Sequence, residues 1–388
     1  MSKWVLGFLP IVLLGGLLVV FFAYGPLGVF LAAFPPVEEL TIQRIVLPEP
    51  GNMVINVING GPAPVTVAQV MVDDAFWQFV TVPEEKMIPR LGQMEIHVPY
   101  PWVEGDAHEV AILTSTGLTF SSEIAVATQS PRRDLTYFGT FSLLGIYAGV
   151  IPVFLGLLWY PFLRKLSTEW LSFFLSLTVG LLAFLAVDTL EEALETAKRV
   201  PGAFQGVMLI SVSLLATLLL LLYLSRSKAN RSDKGSSQGR YWTALMVALG
   251  IGFHNLAEGL AIGSSYALGE IALGTFLVVG FTLHNITEGL GIVAPIAREK
   301  PSISRLVVLG LIAGGPTVLG TWIGGFSYSA TLATIFLAVG TGAILQVIYE
   351  LTLILGGSDN VGLVTAKNLS GFILGMGIMY GTGLLVVA

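Results

Sequence analysis

The chain has 388 residues, 54% of them hydrophobic and only 11% charged. That balance excludes a soluble globular protein and reads as a polytopic membrane protein. No cysteine is present, which removes disulfides, thiolate metal sites and a cysteine nucleophile. The net charge of −6 is unevenly spread: residues 36–135 hold 13 acidic and 5 basic side chains, and the remainder is slightly positive.

Residues 1–35 read as an N-terminal anchor helix. An apolar run over residues 4–34 follows Met1-Ser2-Lys3 and stops at Pro35-Pro36. A cleaved signal would have a shorter core, so the run is expected to remain as an anchor. Residues 36–135 change character. Glu39–Leu47, Met53–Asn59, Val65–Val72, Gln93–Val98, Glu109–Thr114 and Leu118–Thr128 are short and β-rich, with turn residues such as Asn59-Gly60-Gly61-Pro62 between them. Seven or so strands in this length predict a small all-β domain, an immunoglobulin-like sandwich, on the extracytoplasmic side. Glu104, Asp106, His108 and Glu109 read as a solvated turn rather than a cation site, and His97 as an ordinary strand residue.

Residues 136–388 contain eight further apolar segments, at 137–162, 170–195, 203–224, 241–264, 270–297, 303–326, 330–355 and 366–388. With the anchor they make nine predicted helices. The Ser-, Lys- and Arg-rich stretch Ser225–Arg240 is expected to be a disordered loop. With the amino terminus inside, eleven of the thirteen Lys and Arg residues of the eight-helix region fall inside. The predicted topology is therefore that of a multi-pass plasma-membrane protein with a cytoplasmic amino terminus. The β-domain and the carboxyl terminus lie outside.

Two of the four histidines sit in matched motifs in the middle of apolar segments. Phe253-His254-Asn255-Leu256-Ala257-Glu258-Gly259-Leu260 is echoed thirty residues later by Leu283-His284-Asn285-Ile286-Thr287-Glu288-Gly289-Leu290. Histidine and glutamate at i and i+4 share one helix face, with asparagine at its edge. The link Tyr266-Ala267-Leu268-Gly269 is short, so the two helices should be antiparallel neighbours whose motifs face each other at the same depth. A charged group at mid-bilayer costs about 2.5–3.5 kcal/mol on insertion scales. Two glutamates and two histidines need a partner there, and a divalent cation suits imidazole, carboxylate and amide oxygen together. The bland alternative is a polar network joining helices, which two matched copies at matching depth disfavour.

Other polar residues lie within apolar segments. Asp188, Glu191, Glu192 and Glu195 close the second of the eight segments, with Asp188 deepest, where they could line a vestibule for cations or form a hydrated helix end. Gln346 and Glu350 form another i, i+4 pair, readable as ligands on an exit path. No Walker A pattern is present, so ATP is not expected to drive anything here.

These residues resemble the ZIP metal transporters, most closely the GufA-like branch, over about residues 137–388. That branch carries His-Asn-x-Pro-Glu-Gly on its fourth and fifth helices. Here His-Asn-x-x-Glu-Gly stands on the fourth and fifth of the eight segments, with Ala257 and Thr287 in place of the prolines. The resemblance implies movement of divalent metal into the cytoplasm, zinc first, with iron, manganese, cadmium and cobalt also suited. It implies that His254 and His284 ligate a first metal, that Glu258 and Glu288 bridge two, and that Asn255 and Asn285 serve the second. Asp188 would flank the path. Relatives use a glutamate before a proline of the sixth helix, where this chain has Gly314-Gly315-Pro316, so a second metal lacks that ligand. The expected partners are divalent metal ions and the bilayer, with a homodimer as an option. Nucleic acid is not expected, and the partner of the β-domain is left open. The metal is cargo, and no enzyme activity is expected. The alternatives from other classes are an intramembrane metal-dependent hydrolase, a haem protein using His254 and His284, and a structural carrier of the β-domain.

Overall fold

The computed structural model describes residues 3–24, 37–229, 236–357 and 364–387. Helix α1 spans Lys3–Tyr24. The expected stop at Pro35-Pro36 lies outside the described residues.

The β-rich region forms two antiparallel sheets. One runs in the order β1 (Leu40–Glu49), β2 (Asn52–Asn59), β7 (Gln93–Val98), β5 (Val80–Val82). The other runs β4 (Ala75–Trp77), β3 (Val65–Val72), β8 (His108–Thr114), β9 (Thr119–Ile124), with β6 (Met87–Ile88) paired to the start of β3. The six expected strands are all present. The three additional ones, β4, β5 and β6, have two or three residues each, too short to show an alternation. Both sheets contribute to one core that includes Ile55, Val57, Val70, Ile96 and Ile112. In β3 the inward residues are Val65 and Val67, then Val70 and Val72. The change of parity falls at a register shift between Val67 and Gln69, where one extra residue rotates the strand by half its repeat.

Eight helices follow: α2 (Leu135–Leu163), α3 (Thr168–Ala197), α4 (Gly206–Ala229), α5 (Ser237–Ala267), α6 (Ile271–Val293), α7 (Ile303–Ser327), α8 (Ala330–Gly357) and α9 (Ala366–Val387). Seven helices among the described residues, α2 to α8, are long and apolar enough to cross a membrane. The stretch expected as a disordered loop is partly helical, since α4 continues to Ala229 and α5 starts at Ser237; residues 230–235 lie outside the described residues. Among the described residues five helices begin on a side-chain cap, where Asp134, Ser167, Ser236, Ser302 and Thr365 accept backbone N–H bonds from the first turn. Gly269 ends α5 at φ +81°, which lets the chain reverse into α6 within three residues.

The most extensive helix pair is α5 with α7. Gly259 on α5 faces the Thr317 backbone, and Gly320 and Gly324 on α7 face the backbone of Leu256–Ser264. Without Cβ atoms the two chains approach main chain to main chain, as small residues allow in lipid. The largest apolar cluster fills the end of the bundle away from the β-sheets and includes Leu157, Leu182, Ile251, Ile296, Ile344 and Leu351. At the other end the β region meets the helix links directly. The amide of Gly202 donates to the Glu39 carboxylate at 2.5 Å, and Arg133 donates to the Phe326 carbonyl at 3.3 Å.

Candidate metal centre

The two sequence motifs meet. Helices α5 and α6 pack against each other, and three of the motif side chains converge. His254 Nε2 lies 2.8 Å from Glu258 Oε1, and His284 Nε2 lies 2.6 Å from the same oxygen. One carboxylate oxygen therefore takes an imidazole from each helix. The other, Oε2, accepts from Asn285 Nδ2 at 3.1 Å. His254, Glu258 and His284 each present one ligand atom, and all three lie within 4.8 Å of one another. Their side chains are 2%, 3% and 7% exposed. That is a compact, dry donor set of N and O atoms, suited to a small divalent cation.

The asparagines are held by main-chain carbonyls. Asn285 Nδ2 also donates to Ala148 O at 2.9 Å. Ala148 lies in a π-helical turn, Ile146–Val150, that interrupts α2. Such turns leave carbonyls outside the regular ladder and recur at functional sites. Asn255 Nδ2 donates to Ala313 O at 3.1 Å. Ala313 lies on α7 beside Ile312, whose carbonyl loses its ladder partner because Pro316 has no N–H. With both amide nitrogens engaged outward, both Oδ1 atoms are left without a hydrogen-bond partner.

Glu288 stands outside the convergent group. It is 2% exposed, and neither carboxylate oxygen has a hydrogen-bond partner; the Asn255 amide comes near without the geometry of a bond. The centre thus holds buried, unpartnered acceptors, Asn255 Oδ1, Asn285 Oδ1 and both oxygens of Glu288, and His254 Nδ1 is also without a partner. Buried polar atoms are rarely left bare, and a set made of acceptors calls for a cation or donors brought from elsewhere.

Asp188 lies close enough for its charge to act on His284, His254 and Glu258, and Glu192, one turn on, acts on Glu258 and His254. As residues, both have exposed surface on α3. Gln346 and Glu350 are well apart from the motifs in their contacts. Glu350 accepts from Ser225 and, at 3.4 Å, from Gln346, and both residues are buried.

Sequence reasoning missed one cluster. His108, read as part of a solvated turn, is 7% exposed, and its Nδ1 lies 2.8 Å from Asp73 Oδ2. Tyr100 donates to the same oxygen at 2.7 Å, and the Glu109 amide donates to Oδ1 at 2.9 Å. Partial burial opposes ionisation of Asp73, but the bonds from Tyr100, His108 and the Glu109 amide outweigh it and hold its carboxyl below the usual value. Burial and the Asp73 charge push the Tyr100 hydroxyl up to about 12. The available signal was the pair Asp73-Asp74 between two β-rich runs, which marks a tight turn with φ positive at both residues.

A helical, multiply spanning membrane protein with a buried His/Glu/His centre between two neighbouring helices is the class these features define. Residues 223–383, from the end of α4 into α9, match the family model described as ZIP zinc transporter. The match is narrower than the resemblance over 137–388. No curated protein matches the chain.

Proposed function

We propose that this chain carries divalent metal cations across a membrane, zinc first, through the centre formed by His254, Asn255, Glu258, His284, Asn285 and Glu288. The observation that carries the reading is the convergence of His254, Glu258 and His284 beside buried oxygen acceptors that have no donor. The match of residues 223–383 to the ZIP model supports divalent metal as the cargo, and the paired His-Asn-x-x-Glu-Gly motifs are the ground for placing the chain near the GufA-like branch. In this reading 136–388 is an eight-helix transport domain, 36–135 is an immunoglobulin-like outer domain and 1–35 is an anchor. The amino terminus is cytoplasmic, the carboxyl terminus outside, and the membrane is the plasma membrane.

The path is read from the placement of exposed acidic residues and of apolar packing. Asp188 and Glu192 are exposed on the β-region side of the centre, while the apolar cluster with Ile251, Leu290 and Leu351 closes the opposite side. A cation arriving past Asp188 exchanges water for imidazole nitrogen and carboxylate oxygen. The His254 and His284 Nε2 protons that face Glu258 must leave as it binds, so loading releases protons. Two bound ions would use Glu258 and Glu288 as bridges, with Asn255 and Asn285 on the second. Opening the apolar plug releases the cargo inward, past Gln346 and Glu350.

Zinc uptake into proteoliposomes, with wild type beside His254→Ala, tests the reading. Uptake that the substitution abolishes is the expected result. Equal uptake in both would overturn the site. Zinc retained by the wild type with no transport, together with turnover of a peptide or lipid, would make the protein a hydrolase instead.

A further inference from the structure

A second polar cavity lies away from the metal centre, between the β-sheets and the helix links. Its volume is about 660 Å³. The walls are β1, β9 and the segment after it, and the three links that follow α3, α5 and α7, represented by Lys198-Arg199, Leu268-Gly269-Glu270 and Tyr328. Several charges around it are already matched. Lys198 pairs with Glu195, Glu39 takes the Gly202 amide, and Arg199 interacts with the Tyr328 hydroxyl. Arg44 is the exception. It projects from β1 into this cavity, it is half-buried, and its Nε is shielded from solvent with no hydrogen-bond partner. Among the described residues it has no ion pair, although Glu39, Glu123 and Glu270 line the same cavity. The charge that acts on it is another cation, Arg133.

Burying a guanidinium beside a second one without a counter-charge is unfavourable, and its planar fork of donors matches an oxyanion. We propose that this cavity binds a small multivalent oxyanion, with Arg44 as its principal ligand and Arg199 and Lys198 as its electrostatic surround. The class covers inorganic phosphate and small polycarboxylates, both of which offer several oxygens to one guanidinium. A polycarboxylate would fill more of the cavity than phosphate and would reach the cations on both walls.

The test uses the full chain purified in detergent, in metal-free buffer, with thermal unfolding followed by tryptophan fluorescence. Inorganic phosphate and citrate are titrated separately against sodium chloride at matched ionic strength. The expected result is a saturable rise in melting temperature with one or both anions beyond that with chloride, and the stronger arm identifies the source. Arg44→Gln should weaken the apparent affinity about tenfold or more. Glu123→Gln, which removes a negative charge from the exposed β9 wall, should tighten it roughly two- to fivefold. No rise beyond chloride in the wild type overturns the proposal, and so does an unchanged midpoint in Arg44→Gln. Should Arg44→Gln fail to fold, Glu123→Gln decides alone: a tighter midpoint supports the site, and an unchanged one overturns it.

Discussion

Gly259→Ala tests whether the close approach of α5 and α7 holds the metal centre in shape. A Cβ at Gly259 would meet the Thr317 carbonyl oxygen first, and would stand 2.8 Å from the carbonyl carbon and 3.0 Å from its Cα. Carbon atoms rest about 3.5 Å apart, so the helices must separate by at least about 0.7 Å. One turn away on both helices, Asn255 Nδ2 donates to Ala313 O at 3.1 Å. Adding the separation takes that distance to about 3.8 Å, beyond hydrogen-bond range. Overpacking of this kind costs about 1–3 kcal/mol, partly offset by the gain of up to about 1 kcal/mol from replacing glycine in a helix. Loss of the bond leaves the Asn255 amide free to turn, at about 0.5–1.5 kcal/mol, which is roughly two- to tenfold in uptake. The assay is thermal unfolding in detergent beside zinc uptake in proteoliposomes. Gly139→Ala on α2 serves as the matched control, because nothing lies within 4 Å of its Cβ position. Gly259→Ala should lower both readings while Gly139→Ala lowers neither. A Gly259→Ala protein with wild-type melting and uptake would refute the packing argument.

Glu258→Gln removes the negative charge that both imidazoles face and should reduce zinc uptake at least a hundredfold, because a neutral amide replaces the only carboxylate in the convergent triad. Saturating zinc should stabilise the wild type, by about 2.7 kcal/mol at one hundred times the dissociation constant, and leave His284→Ala unmoved in the same melting assay. The β region should lose stability in acid through Asp73. Its folded value lies below the unfolded one, so its contribution is complete above the unfolded value of about 3.9 and is lost as pH falls through the folded value. Asp73→Asn tolerates the positive φ at this turn and should be less stable than wild type at pH 7, with the gap closing towards pH 3 when unfolding is followed at both pH values.

The His/Glu/His cluster was legible to the extent that its logic is local. Spacing of four places His254 and Glu258 on one face, and a four-residue link makes α5 and α6 neighbours, so their meeting followed from the chain itself. The strands of the β region were legible from alternation, and the helix bounds from hydropathy. What escaped depends on main-chain atoms and on distant pairing. Nothing in Ile146–Val150 announces a π turn, yet the Ala148 carbonyl within it orients Asn285. The Asp73–His108 contact joins β-strand ends 35 residues apart, and only the pairing of β3 with β8 brings them together. The exit-path reading of Gln346 and Glu350 did not foresee Ser225, because α4 runs further than its apolar stretch and carries that hydroxyl against Glu350.

The single oxygen that joins the two histidines has a further consequence. Glu258 Oε1 ties α5 to α6 through His284, and it also lies where an ion would be received. Arrival of the ion and release of that clasp are then one exchange of partners at one atom. On the proposed function the helix pair would be fastened by protons when empty and by metal when full, and would be least fastened during the handover between them.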